Sequence, residues 1–503
     1  MKIFLFLAAT SLLSIAAYPQ NVGTETGRER GIVLPKSDYH YKRVQFYIED
    51  EPDADYRHAS EKAYEVFRDI KFAVRIHWGI YSMWKMNGES WGFLDLPREK
   101  KMEYNELYKS FNPKKFDAEE WMDLFKRSGM RAFAFTTKHH EGFSLFHTKT
   151  KVIRRVNYLD PANVIQHCDL HYSVEETPFK RDIVGELCAA AHKRKIKINL
   201  YFSHPDWYDA DFRPFNNHPL TTERYQTFNG DYGWEPGSCK YEFITPEPTP
   251  EETGRAVARH REQLRELLTG YGKIDMLCFD QWMGKDIWKE TKETVKMLRK
   301  IQPDVMLRAR GIGNYGDYYT PERFVPESRE NTAMPWMTIY PLASSFSYDK
   351  DSTQYKGAKW IIHNIIDCAA KGGSFMVGIG PDSDGQFHPT AVRQLEETGR
   401  WLAVNGKGIY NTRERDTWKE GDIYFTRTKN NKRVFAFIED FPRKELVIKS
   451  VTPRAGSKIY MLGYKKALEW SATGDGVRIE IPAELQLEGN RPCRYAWGFE
   501  MKE

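Results

Sequence analysis

The chain has 503 residues, with 75 Lys and Arg against 70 Asp and Glu, so its formal net charge is +5. A hydrophobic fraction of 41% with nearly balanced charge excludes a disordered protein, and the length predicts more than one domain. No Lys/Arg run stands out, so no nucleic-acid partner is expected, while 14 Trp and 28 Tyr suit either a sugar-binding enzyme or a large aromatic core.

In chain order, Lys2 precedes a short apolar stretch at 3–17, IFLFLAATSLLSIAA. It reads as a secretory signal over 1–17, cut after Ala16 or Ala17. It is shorter than the roughly 18–20 residues of a membrane span, and no Cys follows it to carry a lipid. An exported protein, periplasmic or secreted and without a membrane anchor, is expected. Residues 18–58 form a polar lead segment. Beyond it, apolar strand candidates lie at 71–79, 130–140, 195–204, 274–280, 304–310 and 374–381. Helical patterns lie between them at 117–128, 181–195, 251–268, 287–301, 354–370 and 390–404. Asp117 supplies an N-cap and Gly129 a stop for the first of these. Such alternation predicts a parallel sheet. Six strands suit an α/β fold of the (β/α)8-like barrel type over residues 59–408 better than a small Rossmann unit. No G-x-G-x-x-G opens a helix after the first strand, so no dinucleotide cofactor is expected. Residues 409–503 change character. The turn at 429–432 joins strands at 422–427 and 433–438, and short strands follow at 446–450, 458–462, 477–481 and 494–499. That pattern predicts an antiparallel β-sandwich. The six cysteines (168, 188, 239, 278, 368 and 493) show no C-x-x-C spacing. Mostly free buried thiols are expected, with one disulfide at most and no structural zinc.

Catalytic groups of such a barrel sit at the C-terminal ends of its strands. Those ends read His77-Trp78-Gly79, Lys138-His139-His140-Glu141-Gly142, Tyr201-Phe202-Ser203-His204, Asp280, and Arg308 with Arg310. Histidines and tryptophans make hydrogen-bonding and stacking walls for a sugar, and Asp280 ends an apolar strand as a positioned carboxylate would. Each has a plainer role open to it: a histidine after a strand can cap a loop, and Asp280 can cap the next helix. A divalent-ion site from His77, His139, His140, His204 and Asp280 is a further alternative. No H-x-x-x-H spacing pairs two of them, so a site without metal or cofactor is preferred.

The blocks HWGIYS (77–82), KHHEGF (138–143), INLYFSHPDWY (198–208), IDMLCFDQW (274–282), GDYYTPERFVP (316–326) and GGSFMVGIGP (372–381) resemble glycoside hydrolase family 29, the α-L-fucosidases. The similarity runs in order from about residue 65 to 415. It implies a barrel followed by a β-sandwich, and a fucosylated oligosaccharide or related glycan as substrate. By position, Asp280 matches the family nucleophile. His77, His139, His140 and Tyr201 match residues of the fucose pocket, and Arg310 matches the arginine of an Asn-Asp-Arg segment. Glu89 and Trp91, in NGESWGF, fall where the family has an adjacent Glu-Trp pair, here split by Ser90. The implied chemistry is retaining: a carboxylate attacks the anomeric carbon while a second carboxyl, about 5–5.5 Å away, acts as acid and then base.

Three departures stand out. Met337 occupies the place of the glutamate in a Pro-Trp-Glu motif that carries the proton in many members. Asn-Asp-Arg becomes Arg308-Ala309-Arg310, and Cys278 replaces an aromatic residue. The acid/base is therefore expected elsewhere, at Glu327 or Glu330, or at Glu322. The sequence predicts an exo-glycosidase acting on α-L-fucosides or close relatives such as α-L-galactosides. A non-hydrolytic carbohydrate-binding protein on the same scaffold is the alternative. Oligomeric state is not legible.

Overall fold

The computed structural model describes residues 52–86, 88–160, 162, 164–213, 218–220, 246–326 and 334–503. The expected signal, most of the lead segment, Cys239, Glu327 and Glu330 lie outside the described residues.

Helix α1 (Glu61–Arg68), capped by Ser60, precedes strand β1 (Phe72–Ile76). Helices α2 (Arg98–Asn105) and α3 (Ala118–Arg127) lead to β2 (Ala132–Lys138). The cap on α3 is Asp117, whose carboxylate accepts from the N–H groups of Glu119 and Glu120. A small hairpin, β3 (Val152–Val156) and β4 (Ile165–Leu170), is followed by α4 (Ile183–Arg194) and β5 (Lys197–Ser203). Helix α5 (Pro250–Thr269) opens on a capping box between Thr249 and Glu252, and β6 (Met276–Asp280) follows. Then come α6 (Trp288–Ile301), β7 (Met306–Leu307), β8 (Met337–Pro341), α7 (Ala358–Ala370), β9 (Ser374–Ile379) and α8 (Pro389–Asn405).

Seven of these strands form one parallel sheet in the order β7-β6-β5-β2-β1-β9-β8. Between β7 and β8 the chain supplies an irregular stave. Tyr318 bridges Arg308, Tyr319 bridges Trp336, and Glu322 bridges Ile339, all parallel. This is the (β/α)8-like barrel that the alternation predicts, with one stave, between β7 and β8, irregular.

Side chains alternate across each strand. Phe133, Phe135, Leu200, Phe202, Leu277 and Phe279 point outward into a core shared with the helices. On the inner face, alanines 73, 132 and 134 meet methionines 276, 306, 337 and 376, a small-against-large fit. Tyr64, Phe67 and Ile70 from α1 and its C-terminal flank plug that end. Further along the same faces the inner residues become polar: Arg75, Asn199, Tyr201 and Arg308, then His77, Asp280 and Arg310, all buried.

The C-terminal region holds β10 (Thr412–Glu420), β11 (Ile423–Thr428), β12 (Arg433–Ile438), β13 (Glu445–Ile448), β14 (Tyr460–Met461), β15 (Trp470–Ala472), β16 (Val477–Glu480) and β17 (Trp497–Lys502). They form two antiparallel sheets, β10-β11-β12-β17-β14 and β13-β16-β15, over a separate apolar core. The five described cysteines are free. Among the described residues no helix is long and apolar enough to cross a membrane.

Candidate active site

Asp280 closes β6 on the same inner face as Met276 and Cys278. Its Oδ2 accepts from the Tyr201 hydroxyl at 2.7 Å. Its Oδ1 accepts from Arg310 Nη1 at 2.7 Å and from the Gln281 N–H at 3.0 Å. Gln281 adopts φ +60°, a left-handed turn directly behind the carboxylate. His140 Nε2 lies 3.8 Å from Oδ2. Burial and the Asp280 charge push the Tyr201 phenol well above its ordinary value, so it stays a donor.

Arg310 reaches both ways. Its Nη2 donates to Glu322 Oε2 at 2.9 Å. Arg308 lies beneath the same pair, with Nη1 at 3.8 Å from Asp280 and Nη2 at 3.9 Å from Glu322. The Arg308 guanidinium is anchored by the Phe279 carbonyl at 3.1 Å. A third arginine, Arg75, holds its guanidinium 4.5 Å over the Tyr201 ring. Two carboxylates thus face three buried guanidinium groups, and an ionised Asp280 is strongly supported by its donors.

The histidines form the opposite wall. His77 stacks on Phe346 at 4.9 Å and meets His139 edge-on at 5.7 Å. Burial and the Arg75 charge hold His77 well below its ordinary value, and burial holds His139 at about 3. Both are neutral rings at physiological pH. Trp91 packs edge-on to His140 at 4.6 Å and to Trp207 at 5.4 Å. Glu89 Oε1 accepts from the Ser347 N–H at 2.9 Å. Burial pushes its carboxyl up to about 7, against the pull of Arg323.

The structure therefore brings together His77, Glu89, Trp91, His139, His140, Tyr201, Asp280 and Arg310 at one end of the barrel. It places His204 elsewhere. That ring turns out of the barrel, its Nδ1 2.9 Å from His260 Nε2 on α5, and stacks on Phe279 at 4.7 Å. The five-ligand set considered for a metal is not assembled, and no metal-holding cluster occurs among the described residues. Met337 sits in the inner layer with Met276, Met306 and Met376, four residues before the end of its strand. Its thioether fills the barrel and does not line the rim. Glu322, in contrast, ends the stave between β7 and β8 on the rim itself.

Sequence reasoning missed Arg75, Phe346 and Ser347 as parts of this site, whereas Arg308 was among the strand ends it read. For Arg75 a signal existed: it is a charge at an inward position of an apolar strand. Phe346 and Ser347 lie in a loop with no such signal.

Comparison with known proteins agrees with this architecture. The model of the α-L-fucosidase family matches residues 47–407, and that of the α-L-fucosidase C-terminal domain matches 415–502. Human tissue α-L-fucosidase is 26% identical over 466 residues, 86% of this chain and 88% of its own length. Human plasma α-L-fucosidase is 26% identical over 475 residues, covering 86% and 89%. Among solved structures, α-L-fucosidase isoenzyme 1 from Paenibacillus thiaminolyticus shares the fold, with a TM-score of 0.71 at 24% identity over 88% of this chain and 99% of that one. A Bacteroides thetaiotaomicron α-L-fucosidase superposes with a TM-score of 0.69 at 24% identity, covering 91% and 98%. Barrel and C-terminal domain are matched in order along the sequence, and the chain belongs to the α-L-fucosidase family, glycoside hydrolase family 29.

Proposed function

We propose that the protein is a retaining exo-α-L-fucosidase in which Asp280 is the nucleophile and Glu322 the acid/base. One observation carries the pairing: a single guanidinium, that of Arg310, hydrogen-bonds both carboxylates. A bridge of one guanidinium and two hydrogen bonds is compatible with the roughly 5–5.5 Å of retaining pairs. A terminal α-L-fucosyl unit, or an α-L-galactosyl unit, would enter between the histidine wall and the carboxylates. His77, His139, His140 and Glu89 would bond its hydroxyls, and Trp91 and Phe346 would supply apolar walls. Asp280 attacks the anomeric carbon, the glycosidic bond breaks, and its oxygen takes the proton of Glu322. In the resulting ester Asp280 has lost its charge. Arg310 is then left to Glu322 alone, which favours the anion that takes a proton from water. Attack of that water releases the sugar with its configuration retained. A glutamate-to-glutamine variant of the Bacteroides thetaiotaomicron enzyme, trapped as a covalent intermediate with 2-fluoro-fucosyl fluoride, supports this route.

The test compares an aryl α-L-fucoside with a fucosylated oligosaccharide. Asp280→Ala abolishes turnover of both. Glu322→Ala slows the oligosaccharide by about 10²–10⁴-fold and the aryl substrate far less, and added azide yields the α-L-fucosyl azide. Unchanged oligosaccharide cleavage by Glu322→Ala would reject it as acid/base. Fucose binding without turnover by the wild type would favour the carbohydrate-binding alternative. The apolar stretch 3–17 supports export to the periplasm or beyond, which N-terminal sequencing of the mature protein checks.

A further inference from the structure

Ser90, the residue that splits Glu89 from Trp91, is fully buried, and its Oγ lies 2.5 Å from His139 Nδ1. Glu141 approaches as well, its Oε2 3.7 Å from the same nitrogen. The Glu141 carboxyl is 3% exposed and occupies space beside Gly79, where a Cβ would come within 2.9 Å of its Oε1. Around it stand the buried phenols Tyr81 and Tyr104, with Asp206 and Lys138 acting at longer range. The Ser90 hydroxyl and the backbone N–H of Glu141 itself face this carboxyl, and neither closes a full hydrogen bond to it. Burial pushes Glu141 up to about 8, with Ser90 and Lys138 pulling the other way. At neutral pH it carries a proton and is a donor.

We propose that Ser90 and Glu141 are positioning residues that fix His139 as the tautomer protonated on Nε2, so that this ring meets the sugar as a hydrogen-bond donor. The inference rests on the reading of the site as a fucoside pocket. Its logic is that of one serine proton. While Glu141 is neutral it makes no demand on the Ser90 proton, and the Ser90 hydroxyl donates to His139 Nδ1. The imidazole proton then resides on Nε2. When Glu141 ionises, releasing its proton to solvent, the Ser90 hydroxyl turns to the carboxylate. It can then only accept from His139, whose proton moves to Nδ1. The ring stacks at 5.6 Å and 12° on Tyr201, which bonds the nucleophile, so its orientation is held while its donor pattern inverts.

The test is 15N spectroscopy of histidine-labelled full-length protein, with His139 assigned by the signal lost in His139→Gln, run alongside kcat and KM against pH. Wild type should show a protonated Nε2 in mildly acidic buffer and an exchange of the two nitrogens above about pH 8. Glu141→Gln cannot ionise, so its tautomer should not exchange and the alkaline limb of kcat/KM should move up by a unit or more. Ser90→Ala should lose about 10-fold or more in kcat/KM with a mixed tautomer, and Ser90→Thr should recover most of it. A wild-type His139 protonated on Nδ1, or an alkaline limb that Glu141→Gln leaves in place, overturns the proposal. Should wild type hydrolyse no α-L-fucoside, the functional reading fails, and the 15N spectra still decide the relay. Thermal melts of each variant separate misfolding from mispositioning, and Ser90→Thr and Glu141→Gln keep the test open if Ser90→Ala does not fold.

Discussion

Glu89 is 4% exposed, and its carboxyl is shifted from an ordinary 4.5 to about 7, first by burial. The folded protein thus holds a proton that the unfolded chain has already released between those values. Stability falls as pH rises through that window, by about 3 kcal/mol in all. Glu89→Gln removes the titration and keeps the shape, including an acceptor for the Ser347 N–H. Calorimetry should find the variant melting above wild type at pH 8 and level with it at pH 4, while KM for an aryl fucoside rises. Equal melting differences at both pH values would show that charge is not the cause. At this scale the sequence was legible where a motif or a strand end announced a residue, as at Asp280, His139 and Tyr201. Glu89 came only from resemblance. Ser90 reads as a simple interruption until its hydroxyl is seen against His139.

Elements with their own local signals were legible. Helix α3 has Asp117 at its start, α4 has Asp182, and α5 has its Thr249 box. Elements defined by neighbours were not. Strand β8 begins at Met337, inside a stretch that reads as a catalytic loop, whereas the two residues of β7 fall within the strand candidate at 304–310. The stave at 318–322 is recognisable only from the strands it bridges. Its approach is set by Gly316, where a Cβ would lie 2.4 Å from the Ala309 Cα. Its start is set by Asp317, which bonds His58 Nδ1, the Ala59 N–H, the Tyr64 hydroxyl, Arg299 and the Leu307 N–H. Burial pushes the Asp317 carboxyl up, but Arg299 and His58 outweigh it and hold it well below the usual range. The stabilisation is therefore complete above the ordinary value of 3.8 and fades as pH falls below it. Asp317→Asn leaves Arg299 buried without its counter-charge and should cost about 3–5 kcal/mol at neutral pH. Urea unfolding should show that gap narrowing in acid. A gap that stays constant with pH would mean that the carboxylate charge plays no part.

Across the whole molecule, the barrel and the sandwich share material. Phe435, Phe437, Leu462 and Ala496 from the C-terminal region belong to the same apolar core as the barrel helices. Trp401 on α8 buries its ring there, and its Nε1 donates to the Ala496 carbonyl at 2.8 Å. At the other edge, Arg413 and Lys429 converge on Glu65 and Asp69 beside α1. Burial pushes Glu65 up, yet these two cations hold it at about 2, so the link persists to low pH. A joint core makes the two units unfold together. Calorimetry of the full chain should show one cooperative transition. Trp401→Ala removes a large buried ring from the shared region and should lower stability by about 3–5 kcal/mol without splitting the peak. Since Trp401 is remote from the carboxylate pair, the KM of the remaining folded enzyme should be unchanged. Two resolved transitions in wild type, with only one moved by Trp401→Ala, would mean that the sandwich merely adheres to a barrel that is stable without it.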